Sequence, residues 1–134
     1  MSSQSFIPYA HQSIDSVDVE EVAKALAGNL ITRGPYVEAF EKAVAEFCEA
    51  RYAVAFNSAT SGLQAACHAG KLTRSDRLLT TPNSFIASTG CAYLKGTMPT
   101  FLDIDRASGN LNLQQLEWNI NQRRTRGRTV VLPV

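Results

Sequence analysis

Apolar residues recur at helical spacing over the first fifty positions, and then the rhythm changes. Val19, Val22, Ala23 and Leu26 fall on one face of a helix that Asp15 can cap, with Asp18 in its first turn and Gly28 at its end. Val37, Phe40, Val44 and Phe47 form a second stripe, opened by Gly34-Pro35 with the proline at the first helical position. From Tyr52 onward, short apolar runs alternate with helical segments. The pattern predicts strands at Tyr52–Phe56, Leu78–Thr81, Pro99–Ile104 and Thr129–Val134. Between them it predicts helices at Leu63–Gly70, Ser84–Lys95 and Asn112–Asn121, the last capped by Asn112. Such alternation implies crossover connections and an α/β fold with a mainly parallel sheet. No internal repeat or low-complexity linker interrupts it.

Composition narrows this reading only slightly. The chain has 134 residues, enough for one domain with a real core, and 45% hydrophobic against 19% charged residues exclude a disordered chain. A net charge of +1 supplies no field toward nucleic acid or a membrane surface. Cys48, Cys67 and Cys91 stand far apart with no C-x-x-C pair, which reads as separate small buried thiols in a reducing compartment. No leader-like N-terminus and no membrane-spanning apolar run is present in the sequence, so the expected location is cytoplasmic. His11 and His68 lack partners at ligand spacing, and Asp103 and Asp105 flank Ile104 at a strand end, so no metal site is expected. Arg123, Arg124, Arg126 and Arg128 carry no interleaved aromatics and read as a solvated loop rather than a nucleic-acid patch. The run Thr129–Val134 stops with no closing turn, from which a truncated chain is expected; the alternative is a small complete α/β domain with a C-terminal last strand.

Candidate chemistry concentrates in two loops. Asn57-Ser58-Ala59-Thr60-Ser61-Gly62-Leu63 leads from a strand-like run into a helix, where unpaired N–H groups and the Thr60 and Ser61 hydroxyls make an anion cradle. In Thr80-Thr81-Pro82-Asn83-Ser84-Phe85, Pro82 breaks a strand, Ser84 can cap the next helix, and Phe85 follows at its start. Ligands gather at the carboxyl ends of parallel strands. An aromatic there can lie against a planar ring, or it can pack under its own loop.

Four segments occur in order: Thr32-x-Gly34-Pro35-x-Val37-x-x-Phe40-Glu41, Asn57-Ser58-Ala59-Thr60-Ser61, Thr81-Pro82-Asn83-Ser84-Phe85 and Phe101-Leu102-Asp103-Ile104-Asp105. Together they resemble the N-terminal part of the DegT/DnrJ/EryC1/StrS aminotransferases, nucleotide-sugar enzymes of fold type I that use pyridoxal 5'-phosphate. The segments Asn-Ser-Ala-Thr-Ser and Thr-Thr-Pro-Asn-Ser-Phe most resemble the pseudaminic-acid branch, whose members aminate a UDP-4-keto-6-deoxy-N-acetylhexosamine at C4. The resemblance implies the start of a fold type I large domain over residues 1–134, led by a helical segment over residues 1–50. It also implies a cofactor phosphate held by Ala59, Thr60 and Ser61, with Phe85 stacked on the pyridine ring. Tyr9 and Asn29, Leu30, Ile31 and Thr32 match positions lining the sugar-nucleotide site. Tyr9 as an anchor of the N-terminal arm, and Leu30-Ile31 as a short buried strand, remain open alternatives. The implied partners are a nucleotide-sugar substrate, glutamate as amino donor, and a second subunit in a homodimer.

The same resemblance places the cofactor-bonding lysine and the aspartate that pairs with the pyridine nitrogen beyond the end of this chain. Lys24 and Lys42 sit on polar helix faces, and Lys71 and Lys95 sit at helix ends beside Gly70 and Gly96, so none of the four is expected to be catalytic. The competing function is a phosphate- or nucleotide-binding α/β module without catalysis. The chain departs from the family at Ser75-Asp76-Arg77-Leu78, where Gly-Asp-Glu-Val is usual, in a loop expected to lie away from the cofactor.

Overall fold

The computed structural model describes residues 6–8, 10–122 and 127–132. It contains two compact units, Met1–Ala55 and Phe56–Val134.

In the first unit, α1 spans Ser16–Ala27 and begins with a complete capping box. Asp15 Oδ1 accepts from the N–H groups of Val17 and Asp18 at 2.8 and 3.1 Å, while Asp18 accepts from the Asp15 N–H at 3.0 Å. Helix α2 spans Pro35–Phe47 with Gly34 at its N-cap. A side chain at Gly34 would put its Cβ 2.8 Å from the Leu30 carbonyl oxygen, so the entry to α2 requires glycine. The helix ends over Glu49 at φ +52°, with the Ala50 N–H donating to the Ala45 carbonyl at 2.9 Å. Neither helix has a buried residue: Phe40 is 61% exposed and Phe47 90%.

The predicted strand at Tyr52–Phe56 does not form. A strand exists by pairing with a neighbour, and no described residue pairs with this segment. The Ala55 N–H instead donates to Glu41 Oε1 of α2 at 2.8 Å. The alternative of a short buried strand at Leu30-Ile31 is set aside, since both residues are exposed and outside any strand.

The second unit contains α3 (Ala59–Ala69), β1 (Arg77–Thr80), α4 (Ala87–Tyr93), β2 (Met98–Phe101), α5 (Leu113–Asn121) and β3 (Thr129–Val131). Its sheet has the order β2-β1-β3, parallel throughout, with Leu79 opposite Thr100 on one side and Val131 on the other. Successive residues of β1 face opposite layers. Leu79 packs with Leu102, Leu111, Leu116 and Val131 beneath α5, whereas Leu78 lines a cleft on the other layer together with Leu63, Ala66 and Cys67 of α3. Each fully buried leucine contributes about 1.5–3 kcal/mol by leaving water. The predicted α5, with Asn112 Oδ1 accepting from the Gln115 N–H at 2.9 Å, is as observed.

Several boundaries differ from expectation. Helix α3 begins four residues early, because Ser58 and not Gly62 is the point at which the backbone turns helical. Helix α4 begins at Ala87, with Ile86 at its N-cap, so Ser84 caps nothing; its hydroxyl pairs with that of Ser88 at 2.8 Å. The strand β2 stops at Phe101, and Ile104 forms an isolated antiparallel bridge with Leu111. Pro133 and Val134 of the predicted last strand lie outside the described residues. Among the described residues no helix is long and apolar enough to cross a membrane.

Candidate functional site

The chain leaves β1 toward β2 on one side and reaches β3 on the other, so the strand order reverses at β1. A crevice at the carboxyl ends of strands opens at such a reversal. Two segments of the second unit reach that edge, the first turn of α3 and the loop Thr81–Phe85.

Helix α3 is held in this direction by its other end. Its C-terminal residue Gly70 leads into Lys71, whose carbonyl accepts from Arg128 Nη2 at 2.6 Å, next to the Arg128 carbonyl that accepts from the Arg77 N–H at the start of β1. The C-terminus of α3 therefore lies at the amino edge of the sheet, and its N-terminus points toward the carboxyl edge. At that N-terminus, Ser58 Oγ accepts from the Ser61 N–H at 3.2 Å and lies 3.1 Å from Ser61 Oγ. One donor is thus satisfied within the chain. Among the described residues nothing accepts the N–H groups of Ala59 and Thr60, and both project from the positive end of the helix. Thr60 is half-buried and Ala59 exposed. No side chain from Asn57 to Gly62 carries charge.

In the second loop, Thr81 Oγ1 accepts from the Asn83 N–H at 3.2 Å, and Pro82 ends the strand because it has no N–H to give a ladder. Phe85 sits one residue before the α4 N-cap rather than inside the helix, and its ring is 72% exposed. The reading of Phe85 as packed under its own loop is therefore set aside. Thr80, the last residue of β1, is fully buried with its hydroxyl unpartnered.

The other candidates belong to other elements of the chain. Asn29, Leu30, Ile31 and Thr32 belong to the first unit, where Leu30 and Ile31 are exposed, and Tyr9 lies outside the described residues. Lys24 bonds Glu21 at 2.6 Å and Lys42 pairs with Glu46 at 3.9 Å. Lys95 Nζ lies 2.9 Å from His68 Nδ1, near the C-terminus of α3. Asp103 and Asp105 do not form a paired carboxylate site. Asp103 Oδ1 accepts from its neighbour Ile104, while the Ser108 N–H and hydroxyl hold the Asp105 carboxyl below its ordinary pKa. No cluster of three metal-ligating side chains occurs among the described residues.

Arg128 lies in an exposed loop, as the sequence suggests, and is paired there. Its N–H, Nε and Nη2 all reach the Asp76 carboxylate, at 2.7, 3.3 and 3.1 Å. Arg123, Arg124 and Arg126 lie outside the described residues. The unusual Arg77 also has a structural part. It is buried, and its Nη2 donates at 2.6 Å to the Asn119 carbonyl at the end of α5.

Comparison with known proteins agrees with this architecture. The profile of the DegT/DnrJ/EryC1/StrS aminotransferase family matches residues 12–134. A UDP-4-amino-4,6-dideoxy-N-acetyl-beta-L-altrosamine transaminase from Campylobacter jejuni is 37% identical over 111 residues, 83% of this chain and 29% of the relative. The crystal structure of Helicobacter pylori PseC, an aminotransferase of pseudoaminic acid biosynthesis, superposes with a TM-score of 0.79 at 27% identity, over 94% of this chain and 33% of that one. The ntda protein of Bacillus subtilis, solved with bound PMP cofactor, gives 0.75 at 27% identity, over 90% and 28%. The chain thus spans about a third or less of the length of each of these proteins.

Proposed function

The chain belongs to the DegT/DnrJ/EryC1/StrS aminotransferase family, and from that membership we propose that it supplies the cofactor-phosphate side of a pyridoxal-phosphate-dependent nucleotide-sugar aminotransferase. One observation supports this above others. The N–H groups of Ala59 and Thr60 stand open at the positive end of α3, and the next βα loop holds Phe85 with its ring exposed.

The donor set fits the cofactor. Two backbone N–H groups and the Thr60 hydroxyl offer hydrogen bonds to a phosphate, with no carboxylate in the segment to repel it. Ser61 stands close by, its N–H committed to Ser58, so it orders the turn. Phe85 offers an apolar face to the pyridine ring. Bound there, pyridoxal phosphate would supply a ring that takes electrons from the amino donor's α-carbon and returns them to the carbon being aminated. Ala59 and Thr60 anchor one end of the molecule, and Phe85 restricts the tilt of the ring, which fixes where its reactive carbon points.

The substrate is a UDP-4-keto-6-deoxy-N-acetylhexosamine aminated at C4, for which the Campylobacter jejuni and Helicobacter pylori relatives give the direction. Tyr9, Asn29, Leu30, Ile31 and Thr32 line its site, glutamate is the amino donor, and the working unit is a cytoplasmic homodimer. None of Lys24, Lys42, Lys71 and Lys95 bonds the cofactor.

The test is amide-resolved titration of the chain with pyridoxal phosphate and, separately, inorganic phosphate. Shifts centred on Ala59, Thr60 and Ser61 with both, and at Phe85 with pyridoxal phosphate alone, are expected. Binding of phosphate with no response at Phe85 would support a module without catalysis, and shifts confined elsewhere would overturn the site. Borohydride reduction followed by peptide mapping should leave every one of the four lysines without a pyridoxyl group.

A further inference from the structure

The first unit is acidic, with eight carboxylate side chains against four Lys and Arg side chains, and three of those four cations are engaged. Lys24 bonds Glu21, Lys42 pairs with Glu46, and the guanidinium of Arg51 lies 5.2 Å from the centre of the Tyr52 ring. Arg33 is the exception. Its side chain is exposed and, among the described residues, makes no ion pair, hydrogen bond or ring contact, although the unit offers twice as many carboxylates as cations.

The backbone of Arg33 is also set apart. Three residues other than glycine have φ in the left-handed region: Arg33 at +53°, Glu49 at +52° and Lys71 at +51°. Glu49 and Lys71 each follow the C-cap of a helix, α2 and α3, where that conformation ends the helix. Arg33 ends no helix. It stands in the turn between α1 and α2, closed so tightly that a Cβ at Gly34 would lie 2.8 Å from the Leu30 carbonyl oxygen, and Pro35 follows with its backbone angle fixed. A side chain held in this rarely adopted conformation persists only where its surroundings impose it, and such residues concentrate at ligand sites.

A free guanidinium on a fixed turn suits a diphosphate. Its planar fork gives two parallel hydrogen bonds to phosphate oxygens, and no internal partner has to be released first. The preceding Asn29, Leu30, Ile31 and Thr32 carry no charge, so they offer nothing to neutralise the diphosphate of a nucleotide sugar. We propose that Arg33 binds that diphosphate and so selects nucleoside-diphosphate sugars over uncharged ones. The inference rests on the assignment of residues 29–32 to the nucleotide-sugar site.

The test is an amide-resolved titration of the whole chain, with the Arg33 Nε–H also followed, using UDP, uridine, pyrophosphate and sulfate in turn. UDP and pyrophosphate should shift Arg33 with affinities that fall as salt is raised, while uridine leaves it unmoved. Arg33→Gln should weaken UDP binding about tenfold or more, the worth of hydrogen bonds to a charged group, with the urea midpoint of the parent retained. Arg33→Lys should recover only part of the affinity, because an ammonium has no fork. Sulfate acting as strongly as pyrophosphate, or UDP affinity unchanged in Arg33→Gln, would overturn the proposal. UDP shifts at residues 29–32 with Arg33 silent would overturn it and leave the assignment of the nucleotide-sugar site standing. Shifts at Arg33 with residues 29–32 silent would support the arginine as a diphosphate site and count against that assignment, and silence at all five would overturn both.

Discussion

Arg128 and Asp76 clamp the amino ends of β3 and β1 together, through a main-chain N–H at 2.7 Å and a guanidinium nitrogen at 3.1 Å. The same carboxylate accepts from the N–H and hydroxyl of Thr73 at 2.8 and 3.1 Å, so one buried side chain fixes the turn before β1 and the entry to β3. Parallel strands joined by a long crossover have no hairpin to set their register. In this sheet the clamp performs that task.

The clamp predicts an acid-sensitive fold. Hydrogen bonds from Arg128, and then from Thr73, hold the Asp76 carboxyl well below its ordinary value of 3.8. A group whose folded pKa is depressed contributes stability that is present above its unfolded pKa and lost as pH falls toward its folded one. Asp105 is shifted in the same direction by Ser108 and adds to the effect. Urea midpoints should therefore hold steady near neutrality and fall progressively once pH drops below about 5. In Asp76→Asn the midpoint should be lower at neutral pH and the acid slope shallower.

Gly127 should tolerate no side chain. A Cβ there would collide with the Ser75 carbonyl group and the Asp76 N–H, both main-chain groups in the turn that the clamp fixes. Because backbone cannot swing aside as a long side chain can, Gly127→Ala should destabilise by more than about 1 kcal/mol. Thermal or urea unfolding measures it, with Gly90→Ala, whose Cβ would meet nothing within 4 Å, as the comparison.

Ser58→Ala removes the acceptor of the Ser61 N–H and should cost about 1 kcal/mol. It also leaves Ser61 Oγ without its partner at 3.1 Å. Phosphate affinity should weaken in the same variant because the first turn of α3 frays. Ser58→Asp should restore stability while still binding phosphate poorly, since its charge opposes the anion. Paired unfolding and titration curves separate the two effects.

Phe85→Ala should leave stability within about 0.5 kcal/mol of the parent, as an exposed side chain contributes little to the core. Its affinity for pyridoxal phosphate should fall about two- to tenfold, the worth of one aromatic contact. Affinity for inorganic phosphate should be unchanged. Equal losses for both ligands would show that Phe85 acts on the loop rather than on a ring.

Much of this chain is legible from local pattern. The capping box at Asp15, proline at the start of α2, and Asn112 at the start of α5 are properties of a few neighbouring residues, and each is found where the sequence puts it. The same holds for the core of β1, since a short run of leucines between polar turns has few other uses. The start of α3 was harder to read. Thr60, Ser61 and Gly62 are weak helix formers, so the composition points to a loop, and the Ser58 cap decides otherwise.

Tertiary structure alone decided what depends on partners distant in the chain. Tyr52–Phe56 has the composition of a strand but no neighbour among the described residues to complete its ladder, and Glu41 takes the Ala55 N–H instead. That the exposed Arg128 pairs with Asp76, 52 residues away, is written in no local pattern. The sequence by itself determined the family, the caps of α1, α2 and α5, and the alternation of strands and helices in the second unit, because these rest on local hydrogen bonding and contiguous motifs. Which carboxylate or strand meets which depends on long-range packing, and that is settled only when the sheet assembles.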